Sequence, residues 1–194
     1  MRGDEVMRSD ARSNRQTLLD TARLLFIERG LEVPLRTVAS EAGLGIGTLY
    51  RHFPSRDELL AALVEDARDR IVTISQRCAL EWNAGPAKAW MGFATDLSRI
   101  GFGALATGGD LDADVLRPAL IDRIGELRTE GVAAIDQIIE LAKASGLAGQ
   151  SVEPLRFLVG VAVIGRPLAA EVQESLPGQS EWLVAVYLRG LRDL

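Results

Sequence analysis

Residues 34–60 read PLRTVASEAGLGIGTLYRHFPSRDELL, and the fold turns on how this stretch divides into helices. Pro34 suits the first residue of a short helix, where its missing N–H costs nothing, and Gly43 suits the end of one. A further short helix fits Ile46 to Phe53 and stops at Pro54. Val38, Ala39 and Leu44 are small or apolar and let the two helices cross closely, while Leu49 and Phe53 face inward. Two short helices about a glycine-containing turn, after a longer supporting helix, are the parts of a helix-turn-helix, here residues 34–53. Thr48, Tyr50, Arg51 and His52 then point outward. Their donors suit phosphates and base edges, and they equally suit an ordinary solvated face.

Outward from this stretch the periodicity is helical throughout. Upstream, Leu18, Leu19, Ala22, Leu25 and Phe26 recur at three and four spacing, with Ser13 and Gln16 placed as a capping box and residues 1–12 left as a flexible arm. Downstream, Ser55-Arg56-Asp57-Glu58 is a capping box for a long helix over about 56–82, broken at Gly85-Pro86. Further helices fit about 87–107, 113–118, 119–145, 153–174 and 180–193, with Gly108-Gly109, Ser145-Gly146 and Pro177-Gly178 as breaks. Nothing alternates with period two, so the fold class is all-α.

Composition narrows the function. With 47% apolar and 25% charged residues among 194, the chain is globular rather than disordered. Cys78 and His52 are the only residues of their kinds, which leaves no disulfide, no cysteine-cluster metal site and too few nitrogens for an ordinary zinc enzyme. No cofactor is expected. No Ser, His and Asp grouping supports nucleophilic catalysis, so the chain is read as a non-enzyme. Cys78 reads as a small buried hydrophobe. Gly43, Gly45 and Gly47 follow a helix rather than a strand and so fail as a phosphate loop. Asp110, Asp112 and Asp114 start like a calcium loop, but Val115 and Ile121 stand where glycine and glutamate are needed. No apolar run reaches the length of a membrane span, and the polar N-terminus is no signal peptide, so a cytoplasmic location is expected. Charge is uneven: residues 8–56 carry eight arginines against five acids, whereas residues 81–194 carry ten basic residues against fifteen acids. A basic head on an acidic body fits a DNA-binding module joined to a part that does not bind DNA.

The stretch from Val38 to Pro54, with Leu25-Phe26 and Glu28-Arg29-Gly30 before it and Ser55 to Leu60 after it, closely resembles the DNA-binding head of the TetR family of bacterial transcriptional regulators. The resemblance covers roughly residues 12 to 72. It implies an N-terminal three-helix DNA-binding domain, residues 13–58, and a C-terminal helical domain for effector binding and dimerisation, residues 59–194, joined by the shared helix 56–82. It further implies a homodimeric repressor on a palindromic operator in double-stranded DNA, released by a small molecule. The alternatives are a ligand-independent regulator or activator and, from another class, a helical small-molecule enzyme.

Matched positions acquire roles by the same resemblance. Thr48, Tyr50, Arg51 and His52 would contact DNA from the recognition helix, with Gly45, Ile46 and Gly47 at its head. Arg36 and Thr37 would contact it from the preceding helix, and Arg56 would pair with a phosphate. Gly45 replaces a frequent capping serine, and Ile46 a frequent lysine, so base preference does not transfer. In the C-terminal part, Phe157, Val161, Ile164, Leu183, Val184 and Tyr187 lie on two helices more apolar than one solvated side allows. The resemblance makes them the dimer interface, with Gly160 and Gly165 allowing close approach. Trp82, Trp90, Met91, Phe93 and Phe102 concentrate large apolar groups in the middle helices; they are either plain core or, by the resemblance, a pocket for an apolar or aromatic effector.

Overall fold

A computed structural model describes residues 2–100, 118–166 and 168–194. Among these the chain is helical and contains no strand. The elements are α1 (Arg2–Arg29), α2 (Leu35–Glu41), α3 (Ile46–His52), α4 (Arg56–Glu81), α5 (Pro86–Ser98), α6 (Pro118–Ala144), α7 (Pro154–Ile164), α8 (Ala170–Ser175) and α9 (Gln179–Gly190). Single 3₁₀ turns follow α4 and α9 at Trp82–Ala84 and Leu191–Asp193.

Helices α1 to α3 pack on one another as the head, and α1 also packs on α4. Helix α4 continues into the body, where α5 and α6 lie against it and α7 and α9 lie against α5. One core cluster therefore runs from Leu18 in α1 along Leu59, Leu63, Ala67 and Ile71 of α4 to Phe157 and Val184. Ser55 caps α4 by accepting from the Glu58 amide at 3.2 Å, which satisfies a donor that the helix start would otherwise leave open.

Four expectations are revised. Helix α1 begins at Arg2, so residues 2–12 are helical rather than an arm and Ser13 is no cap. The Ser13 carbonyl instead accepts from Thr17 Oγ1 at 2.9 Å, inside the helix. No proline interrupts residues 2–12, and arginine, methionine, glutamate and alanine there favour propagation. The helix expected over 87–107 ends at Ser98, where the Arg99 and Ile100 amides make turn bonds to Asp96 and Leu97. The stretch 101–107, the short helix near 113 and the acids at 110, 112 and 114 lie outside the described residues.

The helix expected over 153–174 is two, α7 and α8. At the end of α7, a side chain on Gly165 would bring its Cβ within 1.9 Å of the Ser98 carbonyl oxygen. The α7 terminus and the α5 terminus approach that closely, and Pro167 has no N–H to carry a helix onward. Lastly, Pro34 is the cap of α2, not its first residue, with φ −62° and ψ 140°.

Candidate nucleic-acid interface

Helices α2 and α3 are joined by a turn whose backbone bonds account for its shape. The Leu44 amide donates to the Ala39 carbonyl at 2.9 Å and the Gly43 amide to Ser40 at 3.0 Å, the paired bonds of a Schellman ending. That ending needs a left-handed residue, and Gly43 supplies it at φ +67°. Gly45 then starts α3 with extended backbone and no side-chain cap, while its carbonyl accepts from the Thr48 amide at 2.9 Å.

The seven-residue α3 is held from one side. Leu49 and Phe53 are 0% and 2% exposed and join Val38 and Ala39 in the core. The Arg15 guanidinium lies 5.2 Å from the Phe53 ring centre and backs that contact from α1. The opposite side is free: Ile46 is 42% and Tyr50 50% exposed, and Gly47 and Arg51 are exposed beside them. Thr48 and His52 are half-buried at its edges, Arg36 is exposed on α2, and Thr37 is half-buried next to it. The exposed Ile46 and Tyr50 stand beside donors that suit a phosphate backbone.

Arg56 departs from this group. Its Nη1 donates to the Val33 carbonyl at 3.0 Å, and its guanidinium sits 5.6 Å from the Phe26 ring centre. Its Nη2 is buried. The side chain is turned inward and ties the loop after α1 to the start of α4. The half-buried guanidinium is thus engaged within the head rather than directed outward beside Tyr50 and Arg51.

Trp82, Trp90 and Phe93 are core. Trp90 and Phe93 are each 2% exposed. The Trp90 ring centre lies 4.9 Å from that of Phe157 and 5.7 Å from that of Phe93, and Tyr187 continues the stack 6.1 Å from Phe157. Trp82 is buried too, and its Nε1 donates to Ser145 Oγ at 3.4 Å, joining the ends of α4 and α6. Met91 faces outward, and Phe102 lies outside the described residues. Space lies elsewhere. A narrow cavity of about 30 Å³ sits between α4, α6 and α7, walled by Val64, Ile71, Leu127, Val132 and Leu158 with Arg68 beside them. Two open clefts of about 380 and 360 Å³ flank α5, the first against α4 and the second against the α7–α9 connection. Trp82, Trp90, Met91 and Phe93 line none of the three.

The residues expected at a dimer interface divide likewise. Phe157, Val161 and Val184 are 0% exposed and lie in the protomer's own core. Ile164, Leu183 and Tyr187 are half-buried. The face left open on α7 and α9 carries Leu155, Val163, Trp182 and Val186 instead, each 46–59% exposed. Helical register separates the two sets, because 155, 159 and 163 form one stripe and 157, 161 and 164 another. Which stripe turns inward is a tertiary choice. Gly160 serves packing within the protomer: a Cβ there would fall 2.3 Å from the Tyr187 hydroxyl.

Cys78 is buried, its Sγ 3.5 Å from the Ala89 carbonyl oxygen, and burial pushes its thiol up to about 11, with Glu81 adding to the shift and Arg77 opposing it. That thiol is inert near neutral pH. No helix among the described residues is long and apolar enough to cross a membrane.

Comparison with known proteins agrees with this geometry. The sequence pattern of bacterial regulatory proteins of the tetR family matches residues 18–63, which hold α2, the turn and α3. A helix-turn-helix transcriptional regulator of Staphylococcus aureus (strain USA300) is 40% identical over 68 residues, 34% of this chain and 37% of that protein. The match therefore spans little more than a third of that relative. Two solved structures extend over the body. A TetR transcription regulatory protein from Mycobacterium vanbaalenii is 30% identical, with 96% of this chain and 99% of that one covered and a TM-score of 0.60. A TetR transcriptional regulator from Streptomyces coelicolor is 27% identical, with 92% and 98% covered and a TM-score of 0.58. With the head and the body both matched at this level, the chain belongs to the TetR family of DNA-binding bacterial transcriptional regulators.

Proposed function

We propose that this chain is a homodimeric repressor of the bacterial cytoplasm that leaves its operator when a small molecule binds, and that it is not an enzyme. Its head would be residues 13–58 and its body residues 59–194, sharing α4. The observation that carries the reading is α3, anchored by Leu49 and Phe53 with its other face open. Arg36, Thr37, Ile46, Thr48, Tyr50, Arg51 and His52 would make the DNA contacts, and Gly45 and Gly47 would let the backbone approach the duplex. Arg56 would act on the head's shape.

Dimerisation would use the open face of Leu155, Val163, Trp182 and Val186. Four large apolar side chains on adjoining stripes exceed the scattered apolar exposure of an ordinary surface. A C2 dimer formed there would present two copies of α3 to two half-sites. An apolar effector entering the cavity between α4 and α6 would displace α4, and with it the head. Loss of operator would then reflect the effector's preference for the displaced state.

The test is titration of the full chain onto a fluorescent duplex from upstream of its own coding sequence, at several salt concentrations and with candidate apolar metabolites. With about two to four phosphate contacts per protomer, the log–log salt slope should be about −4 to −7 for a dimer. A flat salt response, or no preference over unrelated DNA, would remove the reading.

A further inference from the structure

Away from α3, a dense group of charged side chains joins α1 to α4. Asp66 of α4 accepts from Arg23 of α1 at 3.3 Å, from Gln16 of α1 at 3.3 Å and from Arg70 of its own helix at 2.7 Å. Asp20 of α1 accepts from Arg70 at 2.9 Å and also pairs with Arg23. The two helices thus exchange charges in both directions. The inner pair is well shielded, with side-chain exposures of 15% for Arg23 and 17% for Asp66.

Asp66, Arg70, Thr73 and Arg77 fall at spacings of four, three and four, on one face of α4. That face lines the open cleft beside α5, together with Asp96 and Arg99. At its far end Arg77 pairs with Asp96 of α5, and Arg99 pairs with Asp96 and, at 3.0 Å, with Glu181 of α9. One side of α4 therefore grips the head at one end and the body at the other.

We propose that the Asp20–Arg23–Asp66–Arg70 cluster is a clamp that fixes the angle of the DNA-binding head on α4, and that operator affinity depends on it. The apolar seam between α1 and α4 is non-directional and tolerates rolling of one helix on the other. Hydrogen-bonded ion pairs do not, since their energy falls away with angle as well as distance. The exposed Asp20–Arg70 pair contributes little net stability and the shielded Arg23–Asp66 pair loses much of its attraction to desolvation, so the clamp's role is to select one orientation among several of similar stability. The α4–α5 pairs lie on the same face, so a body movement that shifts α4 against α5 acts on the helix that holds the clamp. The inference rests on reading the head as DNA-binding.

Asp66→Asn discriminates this from a simple charge effect. Removing a carboxylate favours DNA binding on bulk electrostatics, whereas release of the head disfavours it. The full-length variant is titrated onto a duplex enriched from a random pool by the wild-type protein, with Asp69→Asn as a control of equal charge. Spin labels at Ser40→Cys on α2 and Gln76→Cys on α4, diluted with unlabelled chain, report the angle of the head. Asp66→Asn should weaken binding by about 5-fold or more and broaden the label distances, while Asp69→Asn does neither. Unchanged distances with affinity within about twofold of wild type would overturn the clamp. If Asp66→Asn does not fold, Arg70→Gln removes the link to Asp20 and must broaden the same distances. If the wild-type chain enriches no duplex, the DNA reading fails, and the distances still decide whether the clamp sets the head.

Discussion

Helix α3 and the pair α7 and α9 place apolar residues by opposite rules. On α3 the buried set is small, Leu49 with Phe53 at its end; Thr48 and His52 are half-buried at the edges, and Ile46, Gly47, Tyr50 and Arg51 face out. On α7 and α9 apolar residues lie on two sides: Phe157, Val161 and Val184 face in, and Leu155, Val163, Trp182 and Val186 face out. A helix apolar on one side identifies its own inner face. A helix apolar on both sides announces two contacts and does not say which belongs to its own chain. The outer stripe on α7 and α9 is open among the described residues, which is why the proposed dimer is placed there.

Substituting neighbours on the two faces of α7 is the strongest way to break this contrast. Val161→Glu puts a carboxylate at a position that is 0% exposed, beside the aromatic stack, and should cost about 3 kcal/mol or more, visible as loss of cooperative melting. Val163→Glu, at 56% exposure, should keep its helical circular dichroism and give a monomer by light scattering. A folded monomer from Val161→Glu and an unaffected dimer from Val163→Glu would reverse the assignment of faces.

The same contrast between inward and outward residues holds for two arginines of the head. Arg56→Ala removes the bond to the Val33 carbonyl and the contact with Phe26, so it should destabilise the protein by about 1–3 kcal/mol and weaken DNA binding through the fold. Arg51→Ala removes an exposed side chain, so stability should stay within about 0.5 kcal/mol. Its DNA binding should weaken evenly across sequences, with the salt slope reduced by about 1 per protomer. Denaturant melts paired with anisotropy titrations separate the two. Equal melts for both variants would return Arg56 to the surface set.

What was legible in the sequence follows the same division. The helix-turn-helix could be read because Pro34, Gly43 and Pro54 punctuate it and its few inward positions are close together in the chain. The break between α7 and α8 was not read, because the apolar run continues past Pro167, although a missing N–H there disfavours a continuous helix. The inward turn of Arg56 was not legible, because its partners Phe26 and Val33 meet it only through tertiary packing. The pairing of Asp66 with Arg70 follows from helical spacing, but Asp20 and Arg23 join them from another helix. Trp90 and Phe93 read as pocket or core alike, and their burial and stacking on Phe157 assign them to the core.

The smallest expected effect concerns the start of α3. Gly45 has φ −70° and ψ 145°, a conformation any residue adopts, and a Cβ there would meet nothing within 4 Å. It makes no side-chain cap bond, so the free amides of the first turn lack the acceptor that serine would add. Gly45→Ser should therefore stabilise the head by a few tenths of a kcal/mol, raising the melting temperature by about 1 °C. The equivalent change inside the body has no such outcome: at Gly165 a Cβ would collide with the Ser98 carbonyl, and a serine there should lower the melting temperature by several degrees. Scanning calorimetry on the two variants compares an open glycine with a closed one. A Gly45→Ser protein that melts lower than wild type would mean that α3 needs its uncapped start, and that the head's outer face is more tightly constrained than its exposure indicates.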